Sequence, residues 1–199
     1  MVLEWLPGNL ARALSGGRRV EVGRALRLSL QITSALEALH QRGIIHRDLK
    51  PANVLLDVED LERAMLRLAD LGLAKARLAL GAGPIALGHI STGGNAFLGT
   101  YDYMAPEQWI QSKTVEAKAD VYSLGVLLFQ MLAGRLPFVA EQAKELMALH
   151  LFEIPPMHCI EGIAPEGLRK LLERMLAKKK AGRPSLSEVI EALSALRAD

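Results

Sequence analysis

The stretch Asp120–Leu132 limits what this chain can fold into more than any other. Val121, Leu124, Val126, Leu127, Leu128, Phe129, Met131 and Leu132 put apolar side chains on every face of a helix. Such a helix has no side to show to water and belongs in the middle of a domain. Its most apolar part, Leu124 to Leu132, contains Gln130 and falls far short of the roughly 20 residues needed to cross a bilayer. Gly134 and Pro137 stop it. The expected architecture is a bundle of helices around this one, mainly α with a few short strands.

The other elements can be read around that centre. Val2 to Leu6 is the tail of a strand stopped by the turn Pro7-Gly8. A short helix follows over Leu10 to Leu14, closed by Ser15-Gly16-Gly17. Leu28, Ile32, Ala35, Leu36 and Leu39 recur at helical spacing within Val22 to Gln41, and Gly43 ends that helix. Val54–Leu56 and Leu66–Leu68 read as two short strands, joined by an acidic connector, Asp57 to Met65, that can form a helical turn. Residues 76–98 have no convincing period and are glycine-rich, which predicts a long mobile functional loop. Helices are expected over Glu141–Leu151 and around Leu168–Leu176, the latter with Lys178, Lys179 and Lys180 as a solvated, dipole-complementing end. Ser185-Leu186-Ser187-Glu188 is a capping box that opens a last helix with Val189, Ile190, Leu193 and Leu196 inward.

Composition narrows the class. The 199 residues suffice for one sizeable domain, and half of them are apolar, so a buried core is expected and wholesale disorder is not. A net charge of +2 gives little reason to propose nucleic acid as a partner. The lone Cys159 rules out an intramolecular disulfide and a cysteine metal cluster, and it fits a reducing, cytoplasmic setting. The N-terminus has no basic region followed by an apolar run, so no signal peptide is read there.

The first clear helix delivers the chain into Ile45-His46-Arg47-Asp48-Leu49-Lys50-Pro51-Ala52-Asn53-Val54-Leu55-Leu56. A polar turn anchored between two apolar runs fixes Asp48, Lys50 and Asn53 at one surface, offering a proton acceptor, a cation and a metal-capable amide. This stretch resembles the catalytic loop of Ser/Thr protein kinases. Three later stretches carry the same resemblance. Gly99-Thr100-Tyr101-Asp102-Tyr103-Met104-Ala105-Pro106-Glu107 is similar to the substrate-docking end of an activation segment, which would run from about 70 to 107. Asp120-Val121-Tyr122-Ser123-Leu124-Gly125 is similar to the start of the family's central buried helix. Arg183, before Pro184, resembles the arginine that pairs with the Ala-Pro-Glu glutamate, here Glu107.

The resemblance implies a protein kinase catalytic domain that uses ATP with Mg2+ or Mn2+ and acts on Ser or Thr hydroxyls of protein substrates. It assigns Asp48 as the base, Lys50 to the moving phosphate, and Asn53 and Asp70 to the metal, with His46, Leu71, Glu107, Asp120 and Arg183 as structural supports. Leu71 stands where phenylalanine is common, a tolerated apolar replacement. By the same resemblance the backbone from Glu4 to Leu6 would meet adenine with Leu55 beneath it, and Thr100 would sit against Asp48 and Lys50. Lys50 and Thr100 favour the Ser/Thr branch over the tyrosine branch, and the wording Gly-Thr-x-x-Tyr-Met-Ala-Pro-Glu resembles bacterial members. Arg47 suits binding a phosphate on the activation segment, for which Ser91 and Thr92 are the acceptors, or else ordinary loop hydroxyls.

No lysine precedes Lys50, and 45 residues precede His46, so the family's phosphate-gripping lysine and glycine-rich lid have no counterpart. Gly81-Ala82-Gly83-Pro84-Ile85-Ala86 superficially imitates a phosphate loop but follows Asp70-Leu71-Gly72, in the wrong place. The expectation is a hinge plus large lobe, weakly active or inactive alone, whose small lobe, or a partner covering that face, comes from elsewhere. The competing expectation is a non-catalytic kinase fragment that acts as a binding or scaffold module.

Overall fold

A computed structural model describes residues 6–70, 101–110 and 116–198. All but the last residue of the strand expected over Val2 to Leu6, the long loop at 76–98, and the sites Glu4, Leu71, Ser91, Thr92 and Thr100 lie outside the described residues. Among the described residues the chain is mainly helical with one three-stranded sheet.

The central element is α4, Lys118–Ala133, following α1 (Leu10–Ala13), α2 (Val22–His40) and α3 (Pro106–Ile110). From Ala119 to Ala133 every α4 side chain but Gln130 is buried, as its apolar perimeter demands. Gly134 ends the helix in the left-handed conformation, with φ of 71°. A β-carbon there would also run into the Gly17 carbonyl oxygen, so two requirements select glycine. α2 and α6 (Glu166–Met175) pack against α4, α7 (Leu186–Ala198) packs on α2 and α6, and α5 (Ala143–Phe152) lies beside α3.

Capping follows the sequence closely. Glu21 accepts from the Gly23 and Arg24 amides at 2.9 and 3.0 Å, which holds its carboxyl below the usual range at the start of α2. Ser185 and Glu188 form the reciprocal box that opens α7, the Ser185 amide donating to Glu188 at 2.8 Å and the Glu188 amide to Ser185 at 3.2 Å. Those bonds, with Arg174 at 2.9 Å, bring the Glu188 carboxyl down to about 2.

The sheet runs β1 (Gly8–Asn9), β2 (Val54–Leu56), β3 (Leu66–Leu68), antiparallel throughout, with Gly8 opposite Leu56 and Val54 opposite Leu68. Pro7-Gly8 is expected from sequence to turn, yet Gly8 continues into a two-residue strand. Two residues are too few for any alternation to register, and pairing with β2 decides their conformation.

Two further expectations gain detail. The connector 57–65 does make a helical turn, the Ala64 amide donating to the Asp60 carbonyl at 2.9 Å, and it lies mostly exposed but tied down at a few points. Leu61 and Ala64 are buried, Arg27 donates to the carbonyls of Leu61 and Ala64, and Gln31 accepts from the Leu66 amide at 3.0 Å. The helical period of α2 marks its apolar face but is silent on Arg27 and Gln31, which strap the connector down. In the lysine run Lys179 and Lys180 are exposed, as expected, and Lys178 departs from that reading. α6 closes at Met175, and Lys178 lies half-buried beyond it, donating to the Leu149 carbonyl of α5 at 3.2 Å and standing 4.2 Å from the centre of the Phe138 ring. Burial lowers its ammonium to about 8.

α4 and α6 meet at Gly125. A β-carbon there would stand 3.0 Å from the Met175 β-carbon and 3.1 Å from Leu176, between two buried, bulky neighbours. Gly125→Ala is expected to lose about 1–3 kcal/mol through overpacking, despite alanine's better helix propensity. Urea unfolding measures it, and a variant at least as stable as the parent would contradict the close approach.

Candidate active site

α2 ends at His40, the turn at Gly43 takes a φ of 72°, and the chain enters the loop 44–53 directly above the start of α4. Asp120, in the first turn of α4, is fully buried. A carboxylate out of water is costly unless its oxygens are filled. Here the His46 amide donates to Oδ2 and the Arg47 amide to Oδ1, both at 2.9 Å, and His40 Nε2 lies 2.7 Å from Oδ2. The N-terminal position also places the charge at the positive end of the helix dipole.

Asp120 thereby holds a strained residue. Arg47 has a φ of 64°, a region that costs a non-glycine residue of order 1–3 kcal/mol. Both of its backbone polar groups are committed: the amide to Asp120, and the carbonyl to the Gln108 side-chain amide at 3.0 Å. Gln108 in turn accepts from the Ala105 amide at 2.9 Å, which ties the loop to the Ala-Pro-Glu segment. His46 is fully buried beside this clamp, and burial holds its imidazole below the ordinary value.

Past the clamp the loop presents its polar groups. Asp48 Oδ2 receives the Lys50 ammonium at 3.1 Å and the Asn53 side-chain amide at 3.1 Å, while the same Asn53 nitrogen donates to the Asp48 carbonyl at 2.8 Å. Asp48, Lys50 and Asn53, singled out from sequence, therefore share one oxygen. Asp70 is brought alongside by backbone pairing, because the Ala69 amide donates to the Asn53 carbonyl at 2.9 Å, just past the Val54–Leu68 register pair. Asp70 itself has a φ of 54°, so strained residues bracket the loop on both sides.

This donor set fits a magnesium ion. Asn53 has its nitrogen committed to Asp48, which leaves an amide oxygen, and Asp70 adds a carboxylate, both hard oxygens. Among the described residues no group of three or more His, Cys, Asp or Glu could hold a metal. An ion that keeps its waters and takes phosphate oxygens needs only one or two protein donors. Leu55 is half-buried between the buried Val54 and Leu56, and Leu6 is half-buried too.

Behind the loop, Glu107 and Arg183 form a bidentate pair at 2.7 and 2.8 Å. The guanidinium is fully enclosed, and its remaining donors reach the carbonyls of Lys118, Ala177 and Lys178, so all five N–H groups are used. The Tyr122 ring covers it at 4.9 Å. Sequence motifs flag this pair and Asp120. They do not flag His40 or Gln108; His40 is legible only as the helix residue that closes α2 before the loop, and Gln108 only as the neighbour of Glu107.

Comparison with known proteins shows the family. The family model described as "Protein kinase domain" matches residues 1–193. Serine/threonine-protein kinase pkn3 of Myxococcus xanthus is 32% identical over 96% of this chain and 35% of its own length. Pkn1 of the same organism is 35% identical over 92% of this chain and 25% of its own length. The mouse serine/threonine-protein kinase Nek2 is 34% identical over 96% of this chain and 42% of its own. The chain belongs to the protein kinase family. It spans about a quarter to two fifths of the length of these curated relatives, all named as Ser/Thr kinases. No helix among the described residues is long and apolar enough to cross a membrane.

Beneath the Ala-Pro-Glu segment lies His150, fully buried, its Nδ1 bonded to the Tyr122 hydroxyl at 2.9 Å with Phe138 and Trp109 around it. Burial first and the Lys178 ammonium second push the imidazole from 6.5 to about 3. The unfolded chain then binds the extra proton between those values, so this residue makes stability fall as pH drops through that window, by up to about 1.4 kcal/mol per pH unit. In urea unfolding from pH 7 to pH 4, His150→Gln is expected to show a shallower decline than the parent. Parallel declines would mean that His150 titrates normally in the fold.

Proposed function

We propose that this chain is the phosphate-transferring large lobe of a Ser/Thr protein kinase. The observation that carries the reading is the Asp48 carboxylate, shared at 3.1 Å by Lys50 and Asn53 on a loop clamped to Asp120. In this reading Asp48 accepts the proton of a protein Ser or Thr hydroxyl as it attacks, so the carboxylate must be held in place, and Lys50 and Asn53 bond it there. Lys50 is within reach of Asp48 and neutralises charge on the γ-phosphoryl group of ATP as it moves. Asn53 and Asp70 would hold Mg2+, which would supply neutralisation of the phosphate charge. The Glu4–Leu6 backbone and Leu55 take adenine, Thr100 positions the acceptor segment, and Arg47 reads a phosphate at Ser91 or Thr92.

Positioning supplies most of this reaction's acceleration, and no lysine before Lys50 can grip the phosphates from above. The 199 residues alone are expected to turn over ATP negligibly, and to gain activity when a kinase small lobe is supplied ahead of Met1. In that active form Asp48→Asn removes the base and lowers phosphate transfer to a protein substrate by about 10²–10⁴-fold. A radiolabelled ATP assay reads both results. Undiminished transfer by the Asp48→Asn form would reject the assignment.

A further inference from the structure

Lys178 differs from the two lysines that follow it. Lys179 and Lys180 are exposed, whereas Lys178 is half-buried and lines a cavity of about 300 Å³ between the end of α5 and the end of α6. Phe152, Ile154, Met157 and Leu176 give that cavity an apolar wall, and Glu173 is its other charged side chain. Phe152 and Ile154 are each 80% exposed, so the cavity opens to molecules in solution.

The surroundings of the Lys178 nitrogen disfavour its charge. It donates to a neutral acceptor, the Leu149 carbonyl, at 3.2 Å, and among the described residues no carboxylate forms an ion pair with it. The Phe138 ring at 4.2 Å favours the ammonium, but weakly beside the loss of water. Glu153 also favours it from a distance, while the Arg183 guanidinium, bonded to the Lys178 carbonyl at 3.2 Å, opposes it. His150, the other titratable group on this side, is buried in its neutral form. Burial outweighs the rest and brings the amine to about 8. At pH 7.5 roughly a quarter of it is then neutral, against about one in a thousand for an ordinary lysine. A neutral amine can still donate to Leu149 and keeps a lone pair free.

We propose that Lys178 is an acylation site, where its Nζ takes a short apolar acyl group from a thioester. Lysine becomes a nucleophile when it is desolvated against apolar groups or set beside another cation, and both conditions meet here. The amine lone pair attacks the thioester carbonyl carbon, a C–N bond forms as the C–S bond breaks, and the thiol leaves with the proton that the amine gives up. No oxidant or reductant is involved. The cavity holds several times the roughly 30 Å³ of one water, so its apolar wall has room for a short acyl chain beside the amine. None of Asp48, Lys50, Asn53 or Asp70 lines it, so the inference stands apart from the catalytic reading.

Acetyl and butyryl thioesters of N-acetylcysteamine, incubated with the 199-residue chain, test this by peptide mass spectrometry with fragmentation that resolves the three lysines. At pH 7.5 Lys178 is expected to be acylated about tenfold or more faster than Lys179 or Lys180. Its rate should be half-maximal near pH 8 and level off above it. The ratio of Lys178 to Lys179 acylation, from which the reagents' own reactivities cancel, should be severalfold larger for butyryl than for acetyl. Phe152→Ser, at an exposed position, should remove that increment while Lys178 stays the faster lysine. A Lys178 rate no greater than that of Lys179, or one still climbing about tenfold per pH unit through pH 9, would overturn the site. Equal ratios for the two thioesters would overturn the apolar acyl group as its substrate.

Discussion

One buried carboxylate organises the candidate site. Asp120 is the meeting point of α2 through His40, of the loop through the His46 and Arg47 amides, and of the central helix that carries it. The loop between them includes a residue in the left-handed region, a conformation that persists only where its surroundings over-determine it. Replacing the carboxylate with an apolar group would leave two buried amides unmet and release the constraint on Arg47. Asp48, one residue further on, is positioned by that constraint together with its own contacts to Asn53 and Lys50.

The rest of the fold serves to keep this carboxylate where it is. α4 can be apolar all round because other helices cover it, and Gly125 lets α6 approach it closely. Arg183 closes the other side: its five donors gather Glu107 and three backbone carbonyls, so the Ala-Pro-Glu segment is fixed against the start of α4. A pair this enclosed adds less net stability than its geometry suggests, since both ions were desolvated, but removing one partner strands the other at about 3–5 kcal/mol. Its role is to set the relative position of two segments, with Gln108 completing the link to Arg47.

Much of this is legible in the sequence, for reasons that differ by element. α2 and α7 can be read because period and capping agree, α4 because it is apolar on every face and stopped by Gly134, and β2 and β3 because short apolar runs lie between clear breaks. Asp48, Lys50, Asn53, Asp120, Glu107 and Arg183 are legible because kinase-like spacing names them, and among the described residues they meet as that spacing implies. The misses share a cause. Gly8–Asn9 becomes a strand, Lys178 a half-buried cap for α5, and Arg27, Gln31, His40 and Gln108 become ties because of neighbours distant in sequence. No local pattern encodes those partners.

The central claim is that Asp120 holds the loop through two backbone amides. Amide hydrogen exchange at His46 and Arg47, compared between the parent and Asp120→Asn, tests it most directly. The neutral amide keeps the shape but loses the charge and one of the two acceptors. Both amides should be strongly protected in the parent and exchange much faster in the variant, while amides in the middle of α4 stay protected. Unchanged protection at His46 and Arg47 in the variant would show that the loop is held by something other than this carboxylate.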